Sequence, residues 1–253
     1  MAITSITGGS HDIQVYGNGT VFAGGGNDTV DIHGSGFMQV GSGNDLLTEN
    51  SNGQINVGSG YDTISMLGNG VINQTGFGGH DTINLGFGND TIFEHGQASV
   101  TGMFGTATIS GGELKINNSS WDVHQLEALT GNATLIGGQY TNQFIAGSGN
   151  VVMHGSGAMG PDTFVGGSGN DTMIGGANSN LFEITQGGHH VITNFVSGQD
   201  QLYVEGQSFA YLESHNDVST SDGNTWIKLD GGSTTVELKG VSSLVSSNIT
   251  TTK

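Results

Sequence analysis

The 253-residue chain contains no cysteine and no arginine, a single proline (Pro161), and four lysines against 22 aspartates and glutamates. Each shortage excludes something. Without thiols the chain neither needs an oxidising compartment nor is harmed by one, so stability must come from a source other than disulfides. A formal charge of −18 repels phosphate backbones and anionic lipid surfaces, which argues against nucleic acid as a partner. No apolar run approaches the roughly 18 residues of a membrane-spanning helix, so membrane insertion is not expected. The opening MAITSITGG has neither the basic start nor the apolar core of a secretory signal peptide. What is abundant is glycine, 47 residues without the every-third spacing of collagen, and that argues for turns. Ordering glycine costs roughly 0.5–1 kcal/mol per residue more than ordering alanine. Like charges also oppose compaction, so something cationic should offset both terms.

Those glycines recur on a period. GGGNDTV (Gly24–Val30) returns as GSGNDLL (Gly41–Leu47) and GSGYDTI (Gly58–Ile64), placing Asp28, Asp45 and Asp62 at intervals of seventeen residues. A fixed period with glycine ahead of each aspartate and an apolar residue two places after it marks a solenoid whose turns bind a hard cation. GGSHDIQV (Gly8–Val15) aligns with GGHDTINL (Gly78–Leu85), which extends the series to Asp12, Asp28, Asp45, Asp62 and Asp81. Between these lie turns without aspartate, Gly17-Asn18-Gly19, Gly34-Ser35-Gly36, Asn52-Gly53 and Gly68-Asn69-Gly70. Two turns per repeat mean two short strands per coil. Val30, Leu47, Ile64 and Ile83 share one place in the repeat, and Val21, Met38, Ile55 and Ile72 another, with Ala23, Val40 and Val57 two residues later. That period-two alternation puts these side chains inside and Asp31, Gln39, Thr48, Asn56 and Ser65 outside.

The fullest copies of the motif are GGSGNDTMI (Gly166–Ile174) and GAMGPDTFV (Gly157–Val165), with partial copies across residues 8–92. In these the chain resembles the RTX family of calcium-binding repeats, whose nonapeptide is G-G-x-G-x-D-x-U-x. The resemblance implies an all-β, calcium-binding parallel β-roll, or β-solenoid, in two repeat blocks, with Ca2+ as the bound ion. Calcium takes six to eight oxygens at about 2.3–2.6 Å, more than one turn supplies. In the family each site is shared by two successive coils, each giving glycine carbonyls and an aspartate carboxylate. Carried onto this chain, the ligands would be Gly24, Gly26 and Asp28; Gly41, Gly43 and Asp45; Gly58, Gly60 and Asp62; Gly79 and Asp81; Gly86, Gly88 and Asp90; Gly157, Gly160 and Asp162; Gly167, Gly169 and Asp171; with Asp12 first and Asp200 last.

The spacing sharpens this expectation. Asp12, Asp28, Asp45 and Asp62 fall on one edge, so the first roll should carry one row of ions there and direct backbone packing along the other edge. Asp81 follows Asp62 by nineteen residues, a distortion, and Asp90 lies nine further on, on the opposite edge without an aspartate neighbour. Where the nonapeptide has its first glycine this chain has Ala23, Val40, Val57 and Leu85, which extends the strand into the turn.

The organisation expected is a first β-roll over 1–116, an irregular or short helical insert over 117–130, a second β-roll over 131–188, and a C-terminal cap with a type I secretion signal over 189–253. The insert NNSSWDVHQLEAL offers Asp122 as a helix cap and Leu126 and Leu129 as one face. In the second block Asp162 and Asn180 share an edge and Asp171 takes the other. HHVITNFVSGQDQLYVEG (His189–Gly206) resembles the segment that closes RTX blocks, and NTWIKLDGGSTTVELKG (Asn224–Gly240) is a β-hairpin turning at Asp230-Gly231-Gly232.

No catalytic constellation emerges. His189 and His190 are adjacent on a strand and face opposite ways, and Asp122, His124 and Glu127 have no assignable nucleophile or oxyanion donor. The expected protein is not an enzyme but a secreted, calcium-binding structural, adhesive or matrix component. By the resemblance it would leave a Gram-negative cell by type I export and act outside the cell or at its surface, with calcium, a cell-surface glycan or a second copy as partners. The alternatives are a targeting module or small polysaccharide-active enzyme, since RTX repeats accompany such enzymes, and an ice-binding solenoid, since Thr29, Thr63, Thr82 and Thr91 follow aspartates.

Overall fold

The computed structural model describes residues 2–76, 79–86, 88–101, 106–117, 124–128, 130–137, 141–155, 160–185 and 187–252. The chain divides into two compact units, Met1–Ser120 and Trp121–Lys253. Each is built as a parallel β-solenoid, and among the described residues the only α-helix is Phe209–Ser214.

In the first unit the chain alternates between two sheets. One takes Ala2–Ser5, Gly19–Phe22, Gly36–Gln39, Gly53–Val57 and Gly70–Gln74; the other takes Asp12–Val15, Thr29–Ile32, Leu46–Glu49, Thr63–Met66 and His80–Leu85. Every strand pairs in parallel with its counterpart one coil later. The expected apolar rows are continuous: Val21, Met38, Ile55 and Ile72 stack in register in one sheet, and Ile13, Val30, Leu47, Ile64 and Ile83 in the other, all buried. Gln39 is exposed and Asp31, Thr48, Asn56 and Ser65 are half-buried, the reverse face of the same alternation.

Coils stack so closely at the turns that a side chain has no room. A methyl group on Gly60 would collide with the Gly43 carbonyl oxygen, and Gly26, at φ +128°, would meet that of Gly9. The turn then disappears. Asn89–Thr101 pairs with Gly70–Asn73 at its start and with His80–Asn84 at its end, so one strand passes from sheet to sheet through an irregular corner between Glu94 and Gln97.

In the second unit His124–Ala128, Asn142–Ala146, Thr163–Gly166, Leu181–Ile184 and Gln201–Val204 form one sheet. Asn132–Ile136, Val151–His154, Thr172–Ile174 and His189–Thr193 form the other. The short helix expected near Leu126 is corrected: His124–Ala128 is a strand in register with Asn142–Ala146, and buried Leu126 stands against Phe144 in the pairing. Strand pairing and burial of alternate residues outweigh the local helix signal. Asp122 and Leu129 lie outside the described residues. Phe144, Phe164 and Phe182 form a fully buried stack with ring centroids 4.9 and 4.8 Å apart, closed by Phe195 tilted onto Phe182 at 5.8 Å.

The hairpin of Asn224–Leu229 and Thr234–Leu238 is antiparallel about Asp230–Gly232, as expected. Its second strand adds in parallel to His189–Thr193, and Ile249–Thr250 adds to Gln201–Val204, so both sheets receive a closing strand. Val218–Ser221 extends the hairpin to a third strand, and Ser208 caps the helix by accepting the Tyr211 amide.

Candidate calcium sites

Asp28, Asp45, Asp62 and Asp81 of the first unit form a buried row in which each carboxylate reaches back one coil. Asp45 Oδ1 accepts the Asp28 amide at 2.8 Å, Asp62 Oδ1 the Asp45 amide at 2.8 Å, and Asp81 Oδ1 the Asp62 amide at 3.0 Å. One residue earlier, outside the row, asparagines bond in the opposite sense: Asn27 Oδ1 accepts the Asn44 amide at 2.9 Å and Asn44 Oδ1 the Tyr61 amide at 3.1 Å. The glycine turns between are joined rung to rung by backbone hydrogen bonds, the amides of Gly26, Gly41 and Gly43 donating to the carbonyl oxygens of Ser42, Gly24 and Ser59, and Gly60 pairs with Gly79.

This arrangement leaves one oxygen of each carboxylate with nothing to bind. Oδ2 of Asp28, Asp45, Asp62 and Asp81 is buried without a protein hydrogen-bond partner. Burial pushes Asp45 and Asp62 up to about 6; each amide bond opposes that rise, and the neighbouring aspartates of the row add to it. Asp81 is raised by burial as well. Aligned buried carboxylate oxygens with no donor are what a hard divalent cation satisfies. Among the described residues no group of three or more His, Cys, Asp or Glu side chains gathers, so the remaining oxygens would come from neutral groups, with the peptide carbonyls of the turns nearest to hand. The residues present fit calcium on both counts, oxygen donors and shared rungs.

One member of the expected row is corrected. Asp12 pairs with Thr29 and is exposed; the place in line with Asp28 belongs to His11, whose amide and Nδ1 both lie 3.0 Å from Asp28 Oδ1. The interval held the clue, since His11, not Asp12, stands seventeen residues before Asp28.

The opposite edge has glycine where the first edge has aspartate. Asp90 is the exception, its Oδ1 accepting the Gly70 amide at 2.8 Å, with Gly70 and Ala107 as its register partners, so no neighbouring coil supplies a second aspartate. Burial pushes Asp90 up to about 6. Gly86 and Gly88 pack on the Leu67 and Asn69 segment of the previous coil. Sequence reasoning missed Glu49, which lies on this edge wholly buried, in register between Ile32 and Met66, beneath Gly36 and Gly53. Its carboxylate oxygens lack a well-formed hydrogen bond, and burial pushes it up to about 7; the nearby Ser51 amide opposes that rise and Asp31 adds to it.

In the second unit Asp162 Oδ1 accepts the Asn142 amide at 2.8 Å, Asn180 Oδ1 the Asp162 amide at 3.0 Å, and Asp200 Oδ1 the Asn180 amide at 2.7 Å. Asp162 and Asp200 are raised by burial, but only Asp162 keeps a partnerless Oδ2, because Asp200 Oδ2 accepts the Val196 amide. Gly160 abuts Thr141; Gly167 and Gly169 lie against the carbonyls of Gly147 and Gly149; Gly157 is outside the described residues. Asp171 differs. Its oxygens accept the amides of Val151 and Gly167, and the next rung offers His190, whose Nδ1 is 3.3 Å from Asp171 Oδ2, both side chains fully buried. His189 points the other way, to Thr235 at the surface.

A family model, the RTX calcium-binding nonapeptide repeat, matches in four copies at residues 15–31, 75–93, 136–158 and 156–183. The chain carries RTX calcium-binding repeats. The matched RTX segments include Asp28, Asp81, Asp90, Asp162 and Asp171, while Asp45 and Asp62 join them through the register of the row. No curated protein matches the chain.

Proposed function

We propose that this is a secreted, non-catalytic β-roll protein with a structural, adhesive or matrix role, which folds when calcium binds it outside the cell. The observation that carries the reading is the row of buried aspartates, each with one oxygen lacking a partner. Without a cation, burying those charges in adjacent coils opposes folding; with one, the same carboxylates tie coil to coil. Ions that bind only the folded form convert their binding free energy into stability, and extracellular modules bind calcium at about 10⁻⁴–10⁻³ M, concentrations met outside cells. Repeats and cap take up nearly the whole of the described chain, which favours a binding or structural role over a small polysaccharide-active enzyme. The outward row Asp12, Thr29, Leu46, Thr63, Thr82 is interrupted by Leu46, and Thr91 pairs with Val71 in the other sheet, which weighs against an ice-binding array. A cell-surface glycan or a second copy would be the partner of such a module. No described helix is long and apolar enough to cross a membrane. Far-UV circular dichroism tests the calcium switch: the β signal should be lost in chelator and return with millimolar calcium. An unchanged spectrum after calcium removal would overturn it.

A further inference from the structure

The aspartate row stops at Asp81. In the next coil its register partner is Ala98, and the glycine turn that would face Asp81 is replaced by the corner between Glu94 and Gln97. Asp81 is nevertheless as buried as its predecessors, with Oδ2 partnerless. If sites formed only between pairs of aspartates, this last carboxylate would have an ion on one side and bare protein on the other.

The residues beside it change character at this point. The inward position ahead of each turn is apolar in the earlier coils, Ala23, Val40 and then Val57, and becomes Gln74, which pairs with Val57. One coil later, one residue beyond the Asn73–Phe93 pair, the position is Glu94. Gln74 and Glu94 are 1% and 2% exposed. They meet under Gly96: a methyl placed there would lie 3.0 Å from Gln74 Nε2 and 3.4 Å from Glu94 Oε1, while the Gly96 amide donates to Glu94 Oε1 at 2.9 Å. The Gln74 side chain also lies against the Asp81 carboxylate and counters part of its upward shift. Polar side chains thus enter this apolar row only where the aspartates run out, on the same edge and beside the last of them.

We infer that Asp81, Glu94 and Gln74 form a closing calcium site, in which a strand-end glutamate and a glutamine amide oxygen stand in for the aspartate and glycine turn that the next coil lacks. Two carboxylates match the charge of a divalent cation, and a carboxamide oxygen is an accepted calcium ligand. The corner replaces a full turn because the ligand now comes from the strand itself. This inference rests on the calcium reading of the row above.

The test is calorimetric titration of the chelator-stripped full chain with calcium, comparing the unaltered protein with Glu94→Gln and Asp45→Asn. Glu94→Gln keeps the volume and removes the charge; it should lower the number of bound ions by one. If Glu94→Gln retains the full number while Asp45→Asn loses ions, the closing site is wrong and the row stands. If neither loses an ion, the calcium row falls and the closing site with it. A second measurement needs no variant: crystals of the unaltered chain grown with calcium should show anomalous density between Asp81 and Glu94, and its absence beside occupied sites at Asp45 would overturn the inference.

Discussion

Asp45 accepts the Asp28 amide through Oδ1 at 2.8 Å, across one coil, and its other oxygen, Oδ2, is buried with no partner in the protein. One half of the carboxylate is therefore structural before any ion arrives, and it sets the height at which the other half is presented. The amide bond favours the ionised form, yet burial outweighs it, and the carboxyl is held near 6.

That balance gives the calcium-free protein an inverted pH dependence. Asp45, Asp62 and Asp90 are raised from an ordinary value of 3.8 to about 6, so the folded chain holds these protons more tightly than the unfolded chain does. Their contribution to stability is fully present below about pH 4 and is lost as pH rises through about 6. Thermal melts in chelator should show the midpoint falling from about pH 4 upward, until no folded baseline remains near pH 7. Calcium, which takes only the ionised carboxylates, should raise the midpoint most at the upper end. A chelated midpoint that climbs with pH would contradict this account.

Glu49 makes a separate demand. It stands between Ile32 and Met66 in an otherwise apolar row, on the edge without an aspartate ladder, and is raised to about 7. Replacing it with the residue of the next coil, Glu49→Met, removes a buried carboxyl that lacks a well-formed hydrogen bond. At pH 8 it should stabilise the protein by about 1–3 kcal/mol, with a smaller gain at pH 5, where the wild-type carboxyl is protonated. Urea denaturation at the two pH values measures the difference; equal gains at both would show that charge at Glu49 is not the cost.

The second unit has a source of stability that owes nothing to ions. Phe164 is sandwiched between Phe144 and Phe182 and is wholly buried. Phe164→Ala should cost about 3–5 kcal/mol through lost burial and the cavity left behind. In saturating calcium the denaturation midpoint should fall accordingly, while the number of ions bound stays the same. A loss of bound calcium in the folded variant would show that the stack positions the sites instead of only supporting them.

Much of this could be read from spacing. A period of seventeen with Val30, Leu47 and Ile64 at one place and Asp28, Asp45 and Asp62 at another fixes coil length, core and edge together, because parallel coils in constant register carry sequence intervals directly into space. What escaped depended on one-residue differences or on direction. His11 is masked by its acidic neighbour Asp12, and only the interval of seventeen to Asp28 reveals its place in the row. Glu49, Gln74 and Glu94 look like surface residues by composition and prove inward only once strand alternation is followed to the last position. The Asp171–His190 pair was hidden by its interval of nineteen, and the strand at His124–Ala128 by a local resemblance to a helix start.

The two ladders beside each turn point in opposite directions, and the inner one gives assembly a sense. An aspartate amide is received only by the coil that follows it, so a coil settling on the N-terminal side of a finished stack finds an acceptor already waiting. A coil settling on the other side brings the acceptor with it and leaves its own amide open until another arrives. The two ends of the stack are therefore unlike along this ladder: toward His11 a coil presents a carboxylate acceptor, and away from it an aspartate amide.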